Sequence, residues 1–144
     1  MKITRNISIK NRIEETTGVT ELVEQTSLEA GFEQKEVYDI LIALDEILSN
    51  IVYYAYPDGS TGVIDIDIQF HGKTIEIRFI DSGVPFDPLA KADPDLSIPV
   101  EDREIGGLGI FIVKKLMDEV SYVRENEKNI LMISKTKSGV NNGN

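Results

Sequence analysis

The apolar residues of this chain change their period sharply near its middle, and that change limits the fold more than any other feature. From Gln34 to Tyr56, Val37, Ile40, Leu41, Leu44, Leu48, Ile51, Val52 and Ala55 recur at steps of three and four. That spacing stacks side chains along one face of an α-helix. Pro57-Asp58-Gly59 then supplies a turn. Beyond it the step is two. Ile64, Ile66, Ile68 and Phe70 alternate with Asp65, Asp67 and Gln69, and after His71-Gly72-Lys73 the alternation resumes at Ile75, Ile77 and Phe79. This is the pattern of a β-hairpin with one face buried and one wet.

The flanking segments fit around that unit. Residues 2–10 place Ile3, Ile7 and Ile9 on one parity, as a strand does. From Asn11, taken as an N-cap, a helix extends to a stop at Gly31, its first half weakened by Gly18 and the threonines. Residues 82–108 lose all period and contain four of the five prolines, Pro85, Pro88, Pro94 and Pro99, among many acids. A loop of about 27 residues inside a small domain is usually functional. A short helix follows from Leu108 to about Asp118, then two strands around SYVRE and NILMISK, joined at Glu127-Lys128. Helices, a hairpin, a helix and another hairpin predict an α+β fold: a two-layer sandwich with a mostly antiparallel sheet and helices packed on its one apolar face. One domain is expected over residues 1–137, with 138–144 as a disordered tail.

Composition removes several kinds of chemistry. With 144 residues and no cysteine, the chain is expected to bury about 68–70% of its unfolded surface without staples, and thiol catalysis, disulfides and cysteine-bound zinc are excluded. His71 is the single histidine, so no histidine-rich metal site is available. There is neither a signal-peptide core nor a run approaching the ~20 apolar residues that span a bilayer. A cytoplasmic protein with no membrane contact is expected. Against 15 Lys and Arg stand 25 Asp and Glu, a net charge of −10, which opposes nucleic-acid binding.

Three groups of residues do not fit a purely structural role. Glu46 and Asn50 lie four apart on the predicted helix and stack at the edge of its apolar stripe; alone, they read first as a solvated surface pair. Asp81-Ser82-Gly83 comes where the second hairpin strand ends, and a lone D-x-G is a common turn. Ile105-Gly106-Gly107-Leu108-Gly109 opens the short helix, placing three glycines in four residues. Glycine there lets backbone N–H groups approach an anion such as phosphate at the helix N-terminus.

In this order, E-x-x-x-N on a helix, D-x-G after a strand and G-G-x-G opening a helix, the chain resembles the GHKL (Bergerat-fold) ATPases. Within them it is similar to the stand-alone anti-sigma-factor serine/threonine kinases of the RsbW and SpoIIAB type, over about residues 3–136. ALDEILSNIVYYAY resembles the family's N-box, FIDSGVPFDP its first glycine box and GGLGIFIVKKLMDEV its second. The resemblance implies a protein serine/threonine kinase that uses ATP and Mg²⁺, binds a sigma factor, phosphorylates a STAS-domain antagonist and forms a homodimer. It assigns the general base to Glu46, the Mg²⁺ ligand to Asn50 and the adenine-binding carboxylate to Asp81. Gly83 would keep the backbone close to the base. Arg103, Gly107, Leu108 and Gly109 would meet the nucleotide, Gly107 and Gly109 through amides near the phosphates, with 87–105 as a lid and Lys114 near the phosphates. Asp45 is left as a structural group behind the site. In the family, a hydroxyl from the last strands often supports the adenine-binding aspartate; no residue here is assigned to that place.

The lid is acidic, with Asp87, Asp93, Asp95, Glu101, Asp102 and Glu104 against Lys91 and Arg103. This keeps a second reading open, a nucleotide-dependent binding module or switch kinase with weak or no phosphotransfer. A detached histidine-kinase catalytic domain ranks third, because His71 falls in a predicted turn and the chain has no room for a dimerisation helix pair.

Overall fold

The computed structural model describes residues 1–56, 59–90 and 108–138. Its strands are β1 (Lys2–Lys10), β2 (Val63–His71), β3 (Thr74–Asp81), β4 (Glu119–Glu125) and β5 (Lys128–Thr136). Its helices are α1 (Thr16–Glu29), α2 (Gln34–Tyr54) and α3 (Leu108–Leu116). The five strands form one sheet in the order β1-β2-β3-β5-β4, and every neighbouring pair is antiparallel. β3 and β4 therefore run parallel on either side of β5, and the 82–118 connection carrying α3 crosses between them. This is the two-layer α+β arrangement expected from the two apolar periods.

The core lies between the sheet and the helices. Ile64, Ile66, Ile68, Phe70, Ile75, Ile77 and Phe79 are at most 1% exposed, and they meet the α2 stripe of Val37, Ile40, Ala43, Leu44, Ile47, Leu48 and Ile51. Each large aliphatic residue so buried contributes roughly 1.5–3 kcal/mol relative to exposure. The stripe thus fixes how α2 is rotated about its axis, and with it the direction in which Glu46 and Asn50 project. The helix also starts cleanly, since the Glu36 carboxylate accepts the Glu33 N–H at 3.0 Å, one half of a capping box.

Several boundaries differ from the sequence pattern. Asn11 does not cap α1, which begins at Thr16 after a 3₁₀ turn at Ile13–Glu15. Instead Asn11 holds a distant loop: its Nδ2 donates to the Ser60 carbonyl at 3.0 Å, its Oδ1 accepts from Gly62 N–H at 2.9 Å, and its own N–H donates to the Gly62 carbonyl. The helix stop at Gly31 is as expected, with φ at +92°. The last hairpin turns one residue earlier than expected, at Asn126-Glu127, both with positive φ. That is the backbone sense a two-residue hairpin loop needs to match strand twist. Among the described residues no helix is long and apolar enough to cross a membrane.

Candidate functional site

Glu46 and Asn50 occupy successive turns of α2 and are each half-buried. They face the start of α3, because a Cβ added at Gly109 would lie 2.5 Å from Glu46 Oε2 and 3.9 Å from Asn50 Nδ2. Three of the residues singled out in the sequence therefore meet at one point, and the glycine is what lets helix and carboxylate approach. Leu108 is the first residue of α3.

Asp81 ends β3 with only 4% exposure. Its Oδ1 accepts the Gly83 N–H at 2.9 Å and the Asn129 side-chain amide at 2.9 Å. Among the described residues no donor reaches Oδ2. A buried carboxylate oxygen without a donor is costly, so this atom is suited to a ligand N–H. Gly83 lies against the end of α2. A Cβ there would fall 2.2 Å from the Ala55 carbonyl oxygen, and the same carbonyl accepts Val84 N–H at 2.8 Å. The D-x-G turn is thereby fixed to the helix that carries Glu46 and Asn50.

The support for Asp81 comes from Asn129, which stands opposite it in the β3–β5 register. Asn129 is 4% exposed; its Nδ2 also donates to the Val84 carbonyl at 2.8 Å. Its Oδ1 accepts from Tyr122 Oη, from Arg124 at 3.2 Å and from Phe86 N–H at 3.4 Å. Arg124 further donates to the Gly83 carbonyl at 2.8 Å. Asn129, Tyr122 and Arg124 were not among the residues singled out from the sequence. The available signal was strand parity: Asn129 shares its parity with the buried Leu131 and Ile133, so an amide there needed buried partners.

Other expectations fall elsewhere. Arg103 and Gly107 lie outside the described residues, as does most of the 87–105 lid; its described start contains a 3₁₀ turn at Pro88–Ala90 with Asp87 Oδ1 accepting Leu89 N–H. Asp45 is exposed rather than set behind the site. Lys114 belongs to the last turn of α3, about 7.5 Å along the axis from Gly109 at 1.5 Å per residue. His71 ends β2 and is exposed.

The model of the histidine kinase-like ATPase domain matches residues 9–135. The chain belongs to the histidine kinase-like ATPase family. Within that family it is similar to the serine-protein kinase RsbW of Bacillus cereus (strain AH820) and to that of Bacillus anthracis, each 34% identical over 106 residues. These matches cover 71% of this chain and 66% of the relatives, so the chain spans just under two thirds of their length. A solved structure of the RsbU and RsbW domains of Rv1364c from Mycobacterium tuberculosis has the same fold, with a TM-score of 0.63 at 14% identity, covering 93% of this chain and 32% of that one. The fold expected from the sequence and the family it resembled both stand.

Proposed function

We propose that the chain is an ATP-dependent serine/threonine protein kinase that acts as an anti-sigma factor, built on one nucleotide-binding domain over residues 1–137. Its partners would be a sigma factor and a STAS-domain antagonist carrying the acceptor hydroxyl, with the kinase itself as a homodimer. The observation that carries this reading is the meeting of Glu46 and Asn50 with the glycine start of α3, on the same helix whose end holds the turn of a buried carboxylate, one oxygen of which meets no donor among the described residues. The similarity to relatives named serine-protein kinases supports the choice of acceptor.

Each residue has a defined task in that reaction. Asp81 Oδ2 accepts the adenine 6-amino N–H and disfavours guanine, which presents an oxygen at the same place. Glu46 takes the proton of the acceptor hydroxyl as that oxygen bonds to the γ-phosphorus, while the bond to the β–γ bridging oxygen breaks and ADP leaves. The positive end of the α3 dipole favours the phosphates. Among the described residues there is no cluster of three or more metal-ligating side chains. The Asn50 side chain offers an amide oxygen, a hard donor of the kind Mg²⁺ takes one or two of while completing its shell with water and phosphate, and that oxygen would be the protein ligand. When bound, Mg²⁺ supplies charge neutralisation on the phosphate oxygens.

Calorimetry and radiolabelled ATP with a STAS protein from the same genome test the assignment. Asp81→Ala should weaken ATP binding by roughly 10–150-fold, the worth of a charge-assisted hydrogen bond of about 1.5–3 kcal/mol. Glu46→Gln should leave nucleotide affinity nearly unchanged and lower transfer by about 10²–10⁴-fold. Asn50→Ala should weaken both. Undiminished transfer by Glu46→Gln removes it as the base. Binding without any transfer by the wild type supports the nucleotide-dependent binding module instead.

A further inference from the structure

The outer face of α2 is not the polar face that a surface helix usually presents. Tyr38, Ile42, Asp45, Ser49 and Tyr53 follow one another at steps of four, three, four and four, so they share a line opposite the buried Ile40, Leu44, Ile47 and Ile51. Tyr38 is 58% exposed, Ile42 47% and Tyr53 63%. Single apolar residues on a surface need no explanation. Here, however, Glu46 borders the same line, four residues from Ile42 and eight from Tyr38, or about 6 and 12 Å along the axis at 1.5 Å per residue. Asp45, also exposed, is the charged residue between them and Tyr53 on that line.

The two directions along the helix from Glu46 are not equivalent. The turn carrying Asp81 is fixed at Ala55, whose carbonyl accepts Val84 N–H at 2.8 Å. A base held by Asp81 therefore lies at the C-terminal end of α2, and its phosphates extend past Asn50 to Glu46. In phosphoryl transfer the attacking oxygen stands roughly in line with the leaving one, on the far side of the phosphorus. The acceptor thus arrives from the N-terminal side of Glu46, where Ile42 and Tyr38 are exposed. We propose that Tyr38, Ile42 and Asp45 form the docking surface for the phospho-acceptor protein. An apolar side chain of that protein packs on Ile42 and Tyr38 and a lysine or arginine faces Asp45, which delivers the serine or threonine hydroxyl to Glu46. This rests on the kinase reading and deepens it, by naming what the protein substrate must carry beside its hydroxyl. A second copy of this chain, with a net charge of −10, is the poorer fit to a face where Asp45 and Glu46 stand side by side.

The experiment is steady-state transfer from radiolabelled ATP to a STAS protein from the same genome, with the acceptor concentration varied, alongside calorimetry with Mg-ATP and melting curves for each variant. Ile42→Ser and Tyr38→Ser should each raise the KM for the acceptor protein roughly tenfold, the scale of losing one interface anchor. Because such contacts hold ground state and transition state alike, kcat and ATP affinity should stay within about twofold of the wild type. Ile42→Leu keeps an apolar side chain of the same volume and should retain the wild-type KM. Asp45→Lys should raise KM and make it less sensitive to salt. Tyr53→Ser, on the same line but on the nucleotide side of Glu46, should leave KM unchanged. Glu46→Gln, by contrast, lowers kcat. The inference is overturned if Ile42→Ser and Tyr38→Ser keep the wild-type KM while Glu46→Gln still loses transfer, or if Tyr53→Ser raises KM as much as they do. It is also overturned if both variants lose self-association in the ultracentrifuge with KM unchanged, which would give the face to a second copy. A wild type that binds ATP and transfers to no STAS protein overturns the kinase reading and the docking surface with it, a result that does not depend on Tyr38 or Ile42.

Discussion

Two glycines of the site are both intolerant of a side chain, but for different reasons. At Gly83 the obstacle is the Ala55 backbone carbonyl, 2.2 Å from an added Cβ, and backbone cannot step aside without moving the end of α2. At Gly109 it is the end of the Glu46 side chain, 2.5 Å away, which can rotate. Gly83→Ala should therefore lower stability by about 1–3 kcal/mol, as overpacking does. Gly109→Ala should melt no lower than the wild type, since alanine is favoured over glycine within a helix by up to about 1 kcal/mol. Its cost should appear in phosphotransfer, by about 10²-fold, because the displaced carboxylate is the proposed base and a misplacement on the order of 1 Å has that effect. Urea melts and the transfer assay separate the two, and equal melting losses for both variants would contradict the assignment. Glu46, Asn50, Asp81 and the glycines were legible in the sequence because each breaks a local pattern. Asn129 was not, because its partner Asp81 is 48 residues away and only the β3–β5 register places them together.

At the scale of elements, the two apolar periods located β1, α2, β2 and β3, since burial on one face of a helix or a sheet leaves its mark residue by residue. Contacts between distant segments leave no such mark. Asn11 has the identity of an N-cap but spends its hydrogen bonds on residues 60 and 62, and no local reading could show that. Tyr56 belongs to the same junction. It accepts Ser82 N–H at 2.9 Å and donates to the Val63 carbonyl at 2.9 Å, joining the end of α2 to both strands of the central hairpin. Its ring occupies the space a side chain at Gly62 would need. Tyr56→Phe should destabilise the protein at neutral pH by about 1–2 kcal/mol, the net worth of two hydrogen bonds. Burial, ahead of the Asp81 and Asp65 charges, raises the Tyr56 pKa above its ordinary value. The neutral phenol is thus favoured in the fold. Its contribution is complete below the unfolded pKa of about 10 and is lost as pH rises through the higher folded pKa. The difference between wild type and Tyr56→Phe should accordingly shrink above pH ~10, in urea melts at neutral and alkaline pH. A difference that grows there would reverse the assigned sign.

Over the whole molecule the dominant quantity is the net charge of −10, and the proposed ligand is also an anion. Where oppositely charged partners meet, salt slows association by screening attraction. Here the long-range term has the other sign. The acids are not confined to one patch: Asp65 and Asp67 lie on the open face of the sheet with Ser8 and Asn6 as partners, while Glu46 and Asp81 face the site. An approaching nucleotide therefore meets repulsion until it is within reach of the α3 start and the site donors. Raising salt from ~0.01 to ~0.1 M shortens the Debye length from about 30 to about 10 Å, which removes most of that repulsion at a distance. The association rate of ATP in EDTA, followed by stopped-flow tyrosine emission, should then rise with salt. Mg²⁺ halves the nucleotide's charge, so the same increase should be smaller for Mg-ATP. A rate that falls with salt in both cases would mean that a local cationic field at the site overrides the charge of the whole chain.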